Sequence, residues 1–243
     1  MESTRYFLEI GYKGTRYSGS QVQENAHSIQ YEVEKAFAVI QREKISFTGS
    51  SRTDAGVHAL QNFFHFDYNG IINERFIYKM NSILPADIVV KNIEAVDTNS
   101  HCRFDARSRE YHYHVYQEKN PLLDDRAYYL PYPLDLDLLH EAATIIKTVN
   151  DFTSFAKRNS QVNTFECQIQ KSEWIRVDDM FIYKVKANRF LRGMVRGLTG
   201  TMLLVGRKKI SIAEFKEIIE AKDCREAEFS VPAKGLFLVE VEY

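Results

Sequence analysis

The sequence predicts an α+β fold with a largely antiparallel sheet, and three observations carry that expectation. Segments that alternate apolar and polar residues recur along the chain, as half-buried strands do. Between them lie segments with apolar residues three and four apart, the spacing of amphipathic helices. The two kinds alternate irregularly, with hairpin-like neighbours, which disfavours a regular parallel winding. The order of elements repeats loosely in two halves, so two subdomains sharing one sheet are expected.

Each element has its own signal. Arg5–Tyr12 (RYFLEIGY) sets Tyr6, Leu8, Ile10 and Tyr12 on one face of a strand. The glycine-bearing KGTRYSGSQVQ reads as a loop. A helix is expected from Ser28, with Ile29, Val33, Ala36, Phe37 and Ile40 as its apolar stripe. Ile45–Thr48 is short and strand-like, and Asn62–Tyr68 groups Phe64, Phe66 and Tyr68. A helix over about Asn73–Ile83 must stop ahead of Pro85, and IVVKNIEAV follows as a strand. In the second half, SREYHYHVY is a strand with Tyr111, Tyr113 and Val115 on one side. A helix over Asp135–Val149 turns Leu139, Ala142, Ala143 and Ile146 inward. Strands at Ile169–Val177 and Phe181–Ala187 precede a helix over Phe190–Val205. Ser211 and Glu214 form the capping box of a last helix, and GLFLVEVEY closes the chain as a strand.

Composition narrows the class. With 243 residues the chain can bury a sizeable core. No apolar run approaches the roughly 20 residues that cross a bilayer. The opening MESTRYFLEIGYKG lacks the basic-then-apolar order of a secretory signal. Cys102, Cys167 and Cys224 are odd in number and far apart, which fits a reducing cytosol better than a disulfide framework or zinc knuckle. The net charge of −1 argues against indiscriminate polyanion binding. Arginines and lysines nevertheless cluster at Arg103, Arg107 and Arg109, at Arg189, Arg192 and Arg196, and at Arg207, Lys208 and Lys209, so a basic cleft on an acidic body is possible.

Chemistry concentrates in GSSRTDAGVHAL, Gly49–Leu60. A carboxylate at Asp54, beside Gly56, can stand at the mouth of a cleft, and the Arg52 guanidinium can hold it ionised. An oriented, ionised carboxylate is what a nucleophile or general base requires. The plain alternative is an Asx turn in which Asp54 caps nearby amides. A Ser–His–Asp hydrolase using Ser50 or Ser51, His58 and Asp54 lacks the G-x-S-x-G elbow and draws all its members from one segment. His112 and His114 share one side of a strand and would need a third ligand to hold a metal. Tyr111, on an aromatic face, is a stacking platform for a nucleobase, or core packing. Arg192 and Arg196 are one turn apart on the expected helix, where Gly193, Gly197 and Gly200 let a strand, a helix or a phosphate backbone approach. Arg196, nearer the apolar boundary, suits a buried partner for a carboxylate.

The combination resembles the tRNA pseudouridine synthase A (TruA) family. SRTDAGVHA, R-E-Y-H-Y, DFTSF at Asp151–Phe155, KANRFLRGMVR and PAKGLFLVEV occur in that family's order, and YKGTRYSGSQVQ is similar to its opening. The match runs from about Tyr6 to Tyr243. The resemblance implies the pseudouridine synthase fold: two similar ferredoxin- or RRM-like halves around a central, mostly antiparallel sheet with helices on one side. Residues 1–105 would form the N-terminal subdomain carrying the catalytic Asp loop, and residues 106–243 the subdomain that completes the cleft. It implies isomerisation of uridine to pseudouridine in the anticodon stem-loop of tRNA, at tRNA positions 38 to 40, by a cytoplasmic homodimer without cofactor or metal. By matching position, Asp54 is the nucleophile, Arg52 its neighbour, Tyr111 the residue that stacks on the target base, and Arg196 the partner of Asp54. Arg103, Arg107, Arg109, Lys157, Arg158 and Arg192 are candidate phosphate contacts.

Three positions depart from the family pattern: Ser20 for a tryptophan, Ser51 for a glycine, and Asn163 for an arginine. A non-catalytic RNA-binding protein is the rival reading, and it has no need of the acid at Asp54. A metal-dependent hydrolase around His112 and His114 is a third.

Overall fold

The computed structural model describes residues 3–158 and 162–243. The described elements run β1 (Thr4–Tyr12), α1 (Ile29–Gln41), β2 (Thr48–Gly49), β3 (His58–Tyr68), α2 (Phe76–Ile83) and β4 (Ile88–Val96). There follow β5 (Ser108–Tyr116), β6 (Tyr128–Tyr129), α3 (Leu136–Ile146), β7 (Ile169–Val177), β8 (Met180–Ala187), α4 (Met194–Gly206), α5 (Ile212–Glu220) and β9 (Leu236–Glu242). The fold is α+β. One unit comprises Met1–Arg107 and Phe237–Tyr243, the other Ser108–Leu236. The sequence suggests a single division after residue 105; the chain divides at 107 and again at 236.

In the first unit β1 is the middle strand, antiparallel to β3 on one side and β4 on the other. Pairing on both edges satisfies its backbone N–H and C=O groups, and the alternation of side chains turns Leu8 and Ile10 to the same face. Leu8 and Ile10 are completely buried. Phe64 and Phe66 of β3 join them, and α1 covers the aromatic face. Phe37 of α1 meets Phe47, Phe66, Tyr68 and Phe76 edge-on, with ring centroids 5.2–5.7 Å apart. Such edge-to-face pairs add about 0.5–1.5 kcal/mol each beyond the area they bury. Ser28 caps α1 by accepting from the Tyr31 N–H. The C-terminal β9 runs parallel to β3, with His58 opposite Phe237 and Ala59 opposite Leu238.

In the second unit β8 is the middle strand, antiparallel to β5 and β7. Tyr111, Tyr113 and Val115 share the buried face of β5 as their alternation predicts. Trp174 and Tyr183 stack at 5.2 Å in the core. Asp135 caps α3 through the Leu138 N–H, and Ser211 and Glu214 make the expected capping box of α5.

Several boundaries differ from expectation, among them the end of α3, at Ile146 rather than Val149. Only Thr48 and Gly49 of the Ile45–Thr48 region and its flank pair as a strand. Strand β3 begins at His58 rather than Asn62. Helix α2 begins at Phe76 rather than Asn73, because the Asn73 side chain and carbonyl accept from Arg75 and Phe76 and close a turn first. Helix α4 begins at Met194, after Gly193 takes the left-handed conformation at φ +74°. Arg192 therefore lies outside the helix and does not share a helical face with Arg196.

Candidate active site

Strand β2 delivers the chain to Ser50, and β3 takes it up again at His58. The segment between alternates: Ser51 and Thr53 are buried, Arg52 is exposed and Asp54 half-buried. Gly56, at φ +81°, turns the chain back, and its N–H donates to the Tyr17 carbonyl. The turn is closed by the Val57 N–H donating to the backbone carbonyl of Asp54. The carboxylate takes no part in it, so the Asx-turn alternative does not describe this loop. Within its unit, among the described residues, the Asp54 carboxylate accepts no hydrogen bond and forms no ion pair, including with Arg52. The local pairing of Arg52 with Asp54 that the sequence invited is thus not formed.

A buried polar frame holds the loop instead. Asn62 is fully buried, and its Oδ1 accepts from the Ser51 N–H at 3.2 Å while its Nδ2 donates to the Ser51 carbonyl at 2.9 Å. The same Nδ2 donates to Tyr12 Oη at 3.1 Å, and Tyr12 Oη pairs with Thr53 Oγ1 at 2.8 Å. Burial pushes the Tyr12 phenol up, so it stays neutral in the network. Ser20 Oγ accepts from the Thr53 N–H at 2.9 Å, and the Ser20 N–H donates to the Thr53 carbonyl at 3.1 Å. Gly14 and Gly19 complete the cradle. A Cβ at Gly14 would lie 1.9 Å from the Val57 oxygen, and one at Gly19 would lie 2.8 Å from the Thr53 oxygen.

The cradle is anchored from behind. Arg16 Nε and Tyr17 Oη both donate to Asp87, at 2.7 and 2.6 Å, and the Lys13 N–H donates to its carbonyl. Burial raises the Asp87 carboxyl, but the bonds from Arg16 and Tyr17 more than offset this and hold it below the usual carboxylate range.

The rival constellations do not assemble. Among the described residues, Ser50 Oγ and Ser51 Oγ are buried without a hydrogen-bond partner. His58 Nδ1 accepts from the Gly14 N–H, and its ring stacks on Phe237 at 4.6 Å, so neither serine has a base. His112 Nε2 contacts Glu110 at 2.8 Å, and Glu110 also holds Lys171 at 3.4 Å. Among the described residues no three His, Cys, Asp or Glu side chains are grouped to hold a metal.

In the second unit Tyr111 is 9% exposed, with Phe190 edge-on at 5.1 Å, so it is a ring fixed in place rather than an open platform. Arg196 stands half-buried on α4. Its Nε donates to the Val231 carbonyl at 2.8 Å and its Nη2 to the Phe229 carbonyl at 3.3 Å. The close approach foreseen for the helix glycines is made by the same segment. Cβ atoms at Gly197 and Gly200 would lie 2.7 Å from Phe229 and 2.2 Å from the Glu228 oxygen. Arg103, Arg107, Lys157, Arg158 and Arg192 are exposed, while Arg109 is half-buried and donates to the Asn188 carbonyl.

Of the departures, Ser20 is part of the loop's frame. Ser51 lies outside the left-handed region, so replacing glycine there costs no backbone strain. Asn163 is exposed. Sequence reasoning missed Asn62 altogether, although one signal was present: an amide beginning a run of buried aromatics in β3.

Comparison with known proteins places this geometry in a family. A family model described as tRNA pseudouridine synthase matches residues 10–105 and 149–243. A tRNA pseudouridine synthase A from Parabacteroides distasonis is 42% identical over 241 residues, covering 98% of this chain and 96% of the relative. One from Azobacteroides pseudotrichonymphae is 41% identical over 240 residues with the same coverage. One from Staphylococcus aureus is 35% identical over 240 residues, covering 98% of this chain and 91% of its own length. The chain belongs to the tRNA pseudouridine synthase family.

Proposed function

We propose that Asp54 is the nucleophile with which this enzyme isomerises uridine to pseudouridine in tRNA. The observation that supports it is a half-buried carboxylate with no partner in its unit, carried on a loop whose backbone is pinned on both sides. A side chain committed to a turn or an ion pair would have to break that contact before reacting. This one need not.

The reaction breaks the bond between sugar C1′ and base N1, turns the base, and forms a bond from C1′ to C5. N1 gains a proton and C5 loses one, so atoms balance without cofactor or oxidant. A carboxylate that adds covalently to the sugar carbon or to the base divides this into two easier steps. Tyr111, whose ring Phe190 holds edge-on, is the residue assigned to meet the target uracil through the part of its ring left exposed and to retain it while it turns. Arg52, exposed two residues before Asp54 and not bonded to it, lends positive charge at longer range, and Arg196 is the second guanidinium assigned to this chemistry. Among the described residues Arg196 spends two of its five N–H donors on backbone carbonyls, which fixes its plane. The target base leaves its stack to react, at a cost of a few kcal/mol. Exposed Arg103, Arg107, Lys157, Arg158 and Arg192, with Arg109, take the phosphates.

The finer assignment is to uridines of the anticodon stem-loop, by a homodimer in the cytoplasm. Three free cysteines fit that compartment. No described helix is long and apolar enough to cross a membrane. Pseudouridine mapping in tRNA from cells with and without the gene tests reaction and position together. Loss at anticodon-arm sites is expected; an unchanged map would refute the reading.

A further inference from the structure

We infer that Ser20 and Asn62 are positioning residues for catalysis, a pair of buried clamps that hold the backbone on either side of Arg52 and thereby aim Asp54. The inference rests on Asp54 being the nucleophile and goes beyond it, since neither clamp touches the reacting atoms.

Each clamp grips one residue by both of its backbone groups. Asn62 engages the N–H and the carbonyl of Ser51 through the two ends of its carboxamide, at 3.2 and 2.9 Å. Ser20 engages the N–H of Thr53 through Oγ at 2.9 Å and the Thr53 carbonyl through its own N–H at 3.1 Å. A third contact, Ser20 Oγ donating to the Ser51 carbonyl at 3.4 Å, joins the two. Tyr12 Oη bridges them again, accepting from Asn62 and pairing with Thr53 Oγ1.

The consequence is geometric. Residues 51 and 53 face inward, so 52 and 54 are turned outward by the alternation of an extended chain. With both backbone groups of residues 51 and 53 held, the direction of the Asp54 side chain is set before substrate arrives. Ser20 and Asn62 are 3% and 0% exposed, so their bonds are not exchanged with water. The frame is built from polar groups, which hydrogen bonds orient more sharply than apolar packing does. A reacting group displaced by about 1 Å can lose on the order of a hundredfold in rate.

The test uses the full-length protein with a tRNA transcript under single-turnover conditions, measuring rate, tRNA affinity and thermal midpoint for Ser20→Ala, Ser20→Thr, Asn62→Ala and Asp54→Ala. Expected is a rate lower by about tenfold or more in Ser20→Ala and Asn62→Ala with tRNA affinity unchanged, and recovery of most of the rate in Ser20→Thr, which keeps the hydroxyl. Should Asn62→Ala not fold, Ser20→Ala decides, because it removes a single oxygen. Full rates in the clamp variants beside an inactive Asp54→Ala overturn the clamps alone. A loss matched by equal loss of tRNA affinity also overturns them. An active Asp54→Ala overturns the nucleophile, and the clamps with it.

Discussion

Gly14 can be tested by a single methyl group. It opens a turn of 3-10 helix over Gly14–Arg16 and is buried against the far end of the Asp54 loop. A Cβ there would lie 1.9 Å from the Val57 oxygen and 2.7 Å from its carbon, whereas ordinary contact begins at 3.4 Å. Gly14→Ala therefore requires the two backbones to part by about 1.5 Å, a gap no side-chain rotation can supply. Overpacking of this kind costs about 1–3 kcal/mol, occasionally more, and here it also strains the Gly14 N–H bond to His58. For a chain of this length each kcal/mol lowers the thermal midpoint by about 2–4 °C, so a fall of roughly 2–12 °C is expected. Because Val57 follows Asp54 by three residues, the same parting moves the carboxylate, and catalysis falls by about tenfold or more. Differential scanning calorimetry and single-turnover assays read the two effects. A variant with the wild-type midpoint and rate would refute the packing of this loop against Gly14.

Other perturbations probe the remaining residues. Tyr111→Phe keeps the ring and its contact with Phe190 and removes only the hydroxyl, so turnover within about threefold of wild type is expected if stacking is its role; a loss of several hundredfold in the rate would assign proton transfer to it instead. Arg196→Lys keeps the charge but cannot span the Val231 and Phe229 carbonyls with a planar fork, so it loses about 1–3 kcal/mol of stability with most of the activity, and an unchanged denaturation midpoint with full turnover would contradict that. His65 carries a pH dependence. Burial, and then the charges of His101 and Arg5, lower its pKa from 6.5 to about 4. Between those values the unfolded chain binds a proton that the folded chain refuses, so stability is lost as pH falls through that window. Urea midpoints for wild type and His65→Gln at pH 4.5, 5.5 and 6.5 should differ progressively, with the variant less acid-sensitive; parallel curves would exclude His65 as the cause.

Local signals in the sequence were reliable where the residues themselves decide the outcome. The strands Ile88–Val96, Ser108–Tyr116 and Ile169–Val177 follow from alternation, and the caps at Ser28, Asp135 and Ser211 from side chains that accept nearby N–H groups. Helix α4 was overextended because Gly193 is compatible with a helix or with a left-handed cap, and only tertiary packing chooses. The C-terminal strand reads as a strand, but its place beside β3 in the first unit depends on a ladder between residues nearly 180 apart in sequence. The candidate site divides the same way. Asp54 stands out by its company in one short segment. The groups that hold its loop come from residues 12, 14, 20 and 62, and no local pattern links them. The polar character of Asn62 was visible; its partner was not.

Asp54 acts through its carboxylate, and the departing C5 proton reports on that step directly. Wild-type protein, Asp54→Asn and Asp54→Ala are incubated with tRNA transcribed from uridine tritiated at C5, and release of tritium to water is followed alongside filter binding of the same tRNA. Stoichiometric release by the wild type and none above background by either variant is expected, with tRNA binding retained in all three. Release by a pure Asp54→Ala protein at a measurable fraction of the wild-type rate would contradict it.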